Sequence, residues 1–189
     1  MYTYKYPHPA VTTDCFVFGY DGASISILLV ERKFAPCQGK WALPGGFLNI
    51  DETLEEGASR ELLEETSLDN VNLEQLHVFS AINRDPRERV LTVAFFCLVK
   101  KNLCKIAAGD DAEKAQWFEW NNLPPLAFDH AEIIAMARTR LQDRIRTTDI
   151  AFSLLDEEFE IADLQQIYEV IHGKKYANDD FFAKYGIYL

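Results

Sequence analysis

The sequence predicts an α/β fold in which short apolar strands form a sheet and amphipathic helices cover it. Apolar runs of strand length recur along the first two thirds of the chain and are separated by turn-forming residues. Between and after these runs lie segments with the apolar spacing of helices. The chain has 189 residues, of which 48% are hydrophobic, so it can bury a full core.

The N-terminal part predicts two paired strands followed by a tight turn. Residues 11–18 and 25–31 are runs of strand length, and the turn residues at 20–22 would join them as a pair. Residues 40–43 then lead into Pro-Gly-Gly at 44–46. Because proline and glycine are unfavourable inside a helix, this tripeptide predicts a turn.

A helix is predicted soon after this turn. Thr53 and Glu56 have the spacing of a capping box, in which each side chain binds the backbone N–H of the other residue. Further along, Glu61, Glu64 and Glu65 stand at i, i+3 and i+4, so they are expected to share one face. Small and apolar residues precede them on that side, and we therefore expect the face to line a cleft.

The second half of the chain predicts further strands and a long helix. Residues 76–82 and 90–99 are expected to pair around the proline-containing loop 83–87. Residues 114–120 form another run of strand type. In residues 129–146 the apolar side chains recur with helical spacing, which predicts a helix with one apolar face.

One stretch, residues 46–68, carries glycine, acidic and basic residues at fixed spacing. Its pattern is G-x5-E-x7-R-E-U-x-E-E-x-S-U, where U is aliphatic. This resembles the signature of the Nudix hydrolases, which has glycine where this chain has Ser67. The resemblance covers about residues 8–146 and implies an α/β/α sandwich with a mixed sheet. A serine that ends the helix in a left-handed conformation would cost about 1 kcal/mol of local stability.

The glutamate cluster makes chemical sense as a platform for magnesium. Like charges at i, i+4 repel each other, and partial burial adds to the cost because it disfavours ionisation. Mg2+ prefers oxygen ligands and usually keeps waters and substrate phosphates in its shell, so it would remove this penalty. The alternative is a solvated glutamate-rich helix, which the Gly-Gly turn and the spacing of Glu52 and Arg60 disfavour.

The Nudix resemblance also implies a reaction and roles for single residues. In that family the glutamates hold Mg2+, or else Mn2+, and activate a water molecule that attacks phosphorus. The reaction hydrolyses the pyrophosphate bond of a nucleoside diphosphate linked to another moiety, and ADP-ribose is the first candidate for this substrate. Carried over by position, the implied metal ligands are Glu61, Glu64, Glu65 and the Gly46 carbonyl, with Glu64 alternatively the general base, and the implied supporting ion pair is Glu52 with Arg60.

Substrate contacts are predicted outside this stretch. Arg84 and Arg87 either bind phosphates bidentately or lie in a solvated loop. Arg32 and Trp41 are candidates to line the cleft, although aromatic side chains more often belong to a core. The acidic residues Asp110, Asp111 and Glu113 fit either a plain turn or, as the Nudix resemblance implies, a further metal ligand or base. The histidines are scattered, so structural or surface positions are expected for them.

The pattern divides the chain into a Nudix-like domain, residues 1–148, and a C-terminal helical segment, residues 149–189. The segment resembles the start of the winged helix of Nudix-related transcriptional regulators, so a ligand sensor with little or no turnover is the alternative function. From residue 151 onward, however, there are eight acids, three lysines and no arginine, whereas DNA recognition needs cations. We therefore expect this segment to pack on the body or on a second subunit.

Composition and charge limit the expected partners and location. A net charge of −11 argues against binding to a phosphate backbone, so nucleic acid is not an expected partner. Four cysteines without C-x-x-C spacing disfavour zinc and favour a reduced, cytoplasmic setting. No apolar run is long enough for a membrane span, and the N-terminus lacks a signal-peptide core. The Nudix resemblance implies a homodimer.

Overall fold

The strands and helices follow one another in the order that the sequence predicts. The computed structural model describes residues 4–109, 112–177, 179, 181 and 183. The strands are β1 (Ala10–Tyr20), β2 (Ile25–Arg32), β3 (Trp41–Ala42), β4 (Gly45–Phe47), β5 (Glu74–Phe79), β6 (Val90–Lys100) and β7 (Ala112–Glu119). The helices are α1 (Leu54–Thr66), α2 (His130–Thr147) and α3 (Ile161–His172), with short 3-10 helices at Lys101–Leu103 and Asp149–Leu154.

The strands form one mixed sheet around β1. β1 runs parallel to β6 along its whole length and antiparallel to β2. β2 also pairs with β3 and β7, and β5 pairs with β6, all antiparallel. The short strand β4 pairs with β1, which places Gly45 opposite Asp14 and Gly46 opposite Thr13. The Gly-Gly turn is therefore held against the centre of the sheet.

Helices cover both faces of this sheet. Side chains alternate along a strand, so Cys15 and Val17 of β1 point to one face while Phe16 and Phe18 point to the other. The face of Cys15 packs on α1. The face of Phe16 packs on α2 and α3. The result is the α/β/α sandwich with a mixed sheet that the motif implies.

The C-terminal segment packs on the body through one face of α3. The apolar side chains of that face are buried in the same core as β1 and α2. The Tyr168 hydroxyl donates a hydrogen bond to the carbonyl of Ile145. The Gln142 amide donates to the carbonyl of Ile171 at 3.1 Å. The segment therefore extends the core of the preceding domain, as its apolar spacing indicates.

Both ends of α1 have the caps that the sequence predicts. Thr53 Oγ1 accepts a hydrogen bond from the N–H of Glu56 at 3.2 Å, and Glu56 Oε2 accepts one from the N–H of Thr53 at 2.8 Å. At the other end Ser67 has a φ of 59°, the left-handed conformation that favours glycine. Its N–H donates to the carbonyl of Leu63 at 2.8 Å, which closes the last turn.

None of the helices within the described residues combines the length and the apolar character that crossing a bilayer requires.

Candidate active site

A cavity of about 360 Å³ opens beside the Gly-Gly turn, where β1, β2, β4 and α1 meet. Charged groups of both signs and three phenylalanine rings line it. More than half of the lining residues lie in strands or in α1 and α2, which support them rigidly, and the others come from loops. Among the residues that the sequence singled out, the cavity is lined by Gly46, Glu61, Glu65, Arg32, Arg84 and Arg87.

The two glycines of the turn are required by close approaches on both sides. Gly45 has a φ of +155°, and a Cβ there would stand 2.0 Å from the carbonyl oxygen of Thr13. A Cβ at Gly46 would collide with the carboxylate of Glu61. The backbone of the turn thus lies directly between the central strand and the acidic face of α1.

Glu65 is the most deeply buried carboxylate of the cluster. Burial raises its pKa from 4.5 to about 8, and the nearby charges of Glu61 and Asp14 add to the rise. The N–H of Gly45 donates a hydrogen bond to Glu65 Oε2 at 2.9 Å, which opposes the rise only in part. Burial also raises the pKa of Glu61. A nearby cation would stabilise both carboxylates in their ionised form.

Arg60 connects the acidic residues of the motif. Its Nε and Nη2 bind the two carboxylate oxygens of Glu52 at 2.9 and 2.6 Å, which is the ion pair that the motif implies. Its Nη1 donates to Glu61 at 2.8 Å and to Glu64 at 3.1 Å. The Arg60 hydrogen bonds hold the pKa of Glu52 down at about 2. One guanidinium therefore sets the positions of three carboxylates.

Glu64 does not share the cavity with Glu61 and Glu65, which corrects the expectation of a common cleft-lining face. Its side chain is 58% exposed, and within the described chain its carboxylate is held by Arg60 alone. The reason is geometric. At about 100° per residue, Glu65 lies about 40° from Glu61 around the helix, whereas Glu64 lies about 100° from Glu65. Glu64 therefore points past the rim of the cavity.

The donor set fits Mg2+ or Mn2+. No three His, Cys, Asp or Glu side chains in the described ranges lie close enough together to hold a metal ion by themselves. Mg2+ does not need such a cage, because one or two carboxylates, waters and substrate phosphates usually hold it. Glu61 and Glu65 are two such carboxylates, partly or largely buried against the Gly-Gly turn, and their raised pKa values indicate that a cation is favourable there.

A second wall of the cavity is an alternating stack of rings and guanidinium groups. The guanidinium carbon of Arg87 lies 5.0 Å from the ring centroid of Phe47 and 5.7 Å from that of Phe128. The guanidinium carbon of Arg32 lies 4.9 Å from the centroid of the Phe128 ring. Phe128 has a φ of 47°, a conformation that is strained for an aromatic residue, and strained residues cluster at functional sites. The stack presents two fixed cations to the cavity.

The two arginines of the loop between β5 and β6 are bound to protein carboxylates. Arg84 is buried, and it donates two hydrogen bonds to Asp129 at 2.9 and 2.7 Å. Arg87 binds Asp85 in the same bidentate way, with its shortest contact at 2.7 Å. Although burial opposes it, these bonds hold the pKa of Asp85 below its ordinary value. Arg87 remains partly exposed, whereas Arg84 is fixed in the cavity floor.

Trp41 does not line the cavity, because its ring packs on Phe118 at 4.5 Å as part of the core. His130, expected to be structural or at the surface, and Asp14, which was not singled out, both line the cavity. Their signals were weak, because an isolated acid in an apolar strand and an isolated histidine have no spacing pattern. The acidic residues 110 and 111 lie outside the described residues.

The chain matches a known domain family over most of its length. Residues 8–137 match the model of the family described as NUDIX domain. The chain is 36% identical over 175 residues to the ADPR responsive transcriptional repressor NtrR of Acinetobacter baylyi, covering 89% of this chain and 68% of that protein. It is 45% identical over 129 residues to the ADP-ribose pyrophosphatase of Methanocaldococcus jannaschii, covering 68% and 73%.

Solved structures show the same fold. A MutT/nudix family protein from Enterococcus faecalis is 29% identical with a TM-score of 0.88, covering 100% of this chain and 84% of that one. Shewanella oneidensis NrtR complexed with a 27mer DNA is 29% identical with a TM-score of 0.77, covering 94% and 82%. The NUDIX domain of the same NrtR, complexed with ADP ribose, is 34% identical with a TM-score of 0.67, covering 72% and 90%.

Proposed function

We propose that this chain, which belongs to the NUDIX domain family, hydrolyses the pyrophosphate bond of a nucleoside diphosphate such as ADP-ribose with the help of Mg2+. The observation that carries the proposal is the pair Glu61 and Glu65, held against the Gly-Gly turn in a cavity that also presents Arg32 and Arg87. Relatives named for ADP-ribose support the choice of ligand. The presence of every charged position of the motif, with Ser67 the one departure, supports turnover.

In this proposal the acidic side of the cavity carries the chemistry. Glu61, Glu65 and the Gly46 carbonyl would hold Mg2+, and Glu64, from its exposed position beside the cavity, would act as a further ligand or as the general base that takes a proton from water. A bound Mg2+ supplies charge neutralisation for the pyrophosphate and for the attacking water. Arg60, anchored by its two bonds to Glu52, keeps the carboxylates in place before the substrate arrives.

The opposite wall binds the nucleotide. Arg87 and Arg32 attract the phosphates, and the Phe47 and Phe128 rings between them offer apolar surface to a base or sugar. Both guanidinium groups are already stacked on rings, so little side-chain freedom is lost when phosphates bind. Asp85 binds Arg87, but part of the Arg87 guanidinium group remains open to the cavity.

The test is a panel of nucleoside diphosphate derivatives incubated with the protein and Mg2+, with the products separated by chromatography. We expect ADP-ribose to be cleaved to AMP and ribose 5-phosphate, and EDTA to stop the reaction. A Glu65→Gln variant with the same cavity shape should be inactive. If no member of the panel is cleaved, while ADP-ribose still raises the melting temperature, the hydrolase assignment fails and a sensor remains.

A second candidate is an ADP-ribose-responsive regulator of transcription. The observation in its favour is the extent of the match, because similarity to NtrR and to DNA-bound NrtR continues beyond the NUDIX domain into the C-terminal segment. The expectation that nucleic acid is not a partner conflicts with these relatives. The charge of the C-terminal segment argues against the regulator, because residues 151–189 contain eight acidic residues and only three lysines.

DNA binding would separate the two candidates. A regulator should bind duplex DNA from its own promoter region with an affinity that falls steeply as salt increases, and ADP-ribose should change that affinity. A hydrolase should bind DNA weakly and without response to ADP-ribose.

Three further properties belong to the proposed hydrolase. They are a domain boundary at residue 148, assembly as a homodimer and a cytoplasmic location. Sedimentation of the full chain tests the dimer.

A further inference from the structure

A buried carboxylate on β1 faces the cavity without a hydrogen-bond donor. The side chain of Asp14 is 9% exposed and lines the cavity. Arg84 Nη2 lies 3.5 Å from its Oδ2, and His130 Nε2 lies 3.6 Å from its Oδ1. Both distances are longer than the roughly 2.7–3.2 Å of an N–H···O bond. Within the described residues, the Asp14 carboxylate therefore accepts no hydrogen bond.

The neighbours of Asp14 are already committed to other groups. Arg84 donates two hydrogen bonds to Asp129, so its guanidinium group is shared between the carboxylates of Asp129 and Asp14. His130 Nδ1 accepts a hydrogen bond from the N–H of Leu43 at 2.8 Å, which leaves the ring proton on Nε2. Burial lowers the pKa of His130 and keeps it neutral. Among the described residues, Asp14 therefore has only a long ion pair with Arg84, and because it lines the cavity, a ligand donor there would supply a hydrogen bond that these residues do not.

The place of Asp14 relative to the acidic cluster indicates which part of a ligand it meets. Asp14 is opposite Gly45 in the β1–β4 pair, and the N–H of Gly45 is the group that binds Glu65. Asp14 therefore lies next to the proposed position of the pyrophosphate. As an anion it would repel a phosphate, whereas its two oxygens can accept hydrogen bonds from two hydroxyl groups.

We infer that Asp14 binds sugar hydroxyls of the ligand, and so selects nucleoside diphosphates that carry a ribose beside the pyrophosphate. This inference rests on the proposed function, because it needs a ligand whose pyrophosphate lies at Glu61 and Glu65. It assigns a specificity role to a residue outside the acidic motif. A ligand with a pyrophosphate but without a sugar would make no use of Asp14.

Calorimetric titration of two probes tests this role. ADP-ribose, as a methylene-bridged analogue that cannot be cleaved, and inorganic pyrophosphate are titrated in the presence of Mg2+ into the wild type and into Asp14→Asn. We expect Asp14→Asn to bind ADP-ribose about 10- to 100-fold more weakly, because a charged hydrogen bond is lost. Pyrophosphate should bind equally well or more tightly, since a negative charge is removed. Asp143→Asn, which removes one exposed acid on α2, should change neither.

A second variant keeps the test decisive if Asp14→Asn does not fold. Asp129→Asn frees Arg84, which then pairs with Asp14 and occupies its oxygens, so ADP-ribose should again be weakened more than pyrophosphate. Equal loss of both probes, or unchanged ADP-ribose binding, would overturn the inference. So would loss of Mn2+ binding in the absence of nucleotide, which would make Asp14 a metal ligand. A wild type that binds no ADP-ribose would instead contradict the proposed function.

Discussion

Gly46 and Glu61 stand so close together that a Cβ on the glycine would lie 2.5 Å from both oxygens of the carboxylate. No real Cβ tolerates that distance, so one of the two must move when a side chain is added. The glycine is held by strand pairing with Thr13, whereas Glu61 is a side chain bound by Arg60. The absence of a side chain at position 46 therefore sets the position of a proposed metal ligand.

A Gly46→Ala variant should displace the Glu61 carboxylate while the fold is kept. We expect Mg2+-dependent activity to fall about 10- to 100-fold, as it does when the supports of metal ligands are lost. The free energy of unfolding should fall by about 1–3 kcal/mol from overpacking. In a Glu61→Ala background the same alanine should cost little, because the colliding group is gone. Equal costs in both backgrounds would refute the link between these residues.

An Arg60→Lys variant should keep the charge but lose the support of three carboxylates. A lysine is a point charge and cannot reproduce the fork that binds both oxygens of Glu52 together with Glu61. We expect about a 10- to 100-fold loss of activity or of Mn2+ affinity, measured by titration. Arg146→Lys, in an exposed pair with Asp143, is the matched control and should behave as the wild type. Full activity in Arg60→Lys would show that the fork is dispensable.

The raised pKa of Glu65 predicts how stability depends on pH in the absence of metal. The folded state binds the proton more tightly than the unfolded chain between 4.5 and about 8, so the free energy of unfolding falls as pH rises through this window. Glu65→Gln has no such group, and its advantage over the wild type should grow to about 1–3 kcal/mol above pH 8.

Urea unfolding in EDTA at about pH 6 and about pH 9 measures this advantage. Glu55→Gln, at an exposed position in the first turn of α1, is the control. If the difference between Glu65→Gln and the wild type were the same at both pH values, the burial of an ionisable Glu65 would not govern stability. Adding Mg2+ should raise the free energy of unfolding of the wild type but not that of Glu65→Gln, because only the carboxylate binds the ion.

The shared core predicts that the C-terminal segment unfolds together with the domain. Ile167 is completely buried between α3 and the sheet. Ile167→Ala should therefore lower the free energy of unfolding of the whole chain by about 2–5 kcal/mol in one transition. Leu103→Ala, at a 77% exposed position, should have almost no effect. Two separate transitions, of which only the smaller one responds, would show that α3 is an independent unit.

Local patterns predicted the fold well because they depend on neighbours in the sequence. The capping box at Thr53 and Glu56 and the left-handed Ser67 are both present, since each involves only one helical turn. The strands agree with the predicted runs within a few residues, because buried strands are nearly all apolar. The implied ion pair of Glu52 with Arg60 is present for a related reason, since both belong to one continuous motif.

The composition of the cavity was harder to predict because it depends on distant segments. Asp14 and His130 are 116 positions apart, and only the folded sheet and α2 bring them within 3.6 Å. Trp41 has the aromatic side chain that ligand stacking requires, but strand pairing places its ring against Phe118. Arg84 has the chemistry of a phosphate ligand, yet Asp129 from the start of α2 binds it first. The spacing of residues along the sequence does not show which of several partners a side chain binds in the folded protein.

The most direct test of the account compares ADP-ribose turnover by the wild type, Glu64→Gln and Glu65→Gln, with Mg2+ and with EDTA. We expect Mg2+-dependent formation of AMP and ribose 5-phosphate by the wild type, and rates lower by orders of magnitude in both variants. Both variants should remain folded, because Glu65→Gln removes a carboxylate that burial disfavours and Glu64→Gln changes an exposed side chain. Full activity in both variants would contradict the proposal that these glutamates carry the reaction.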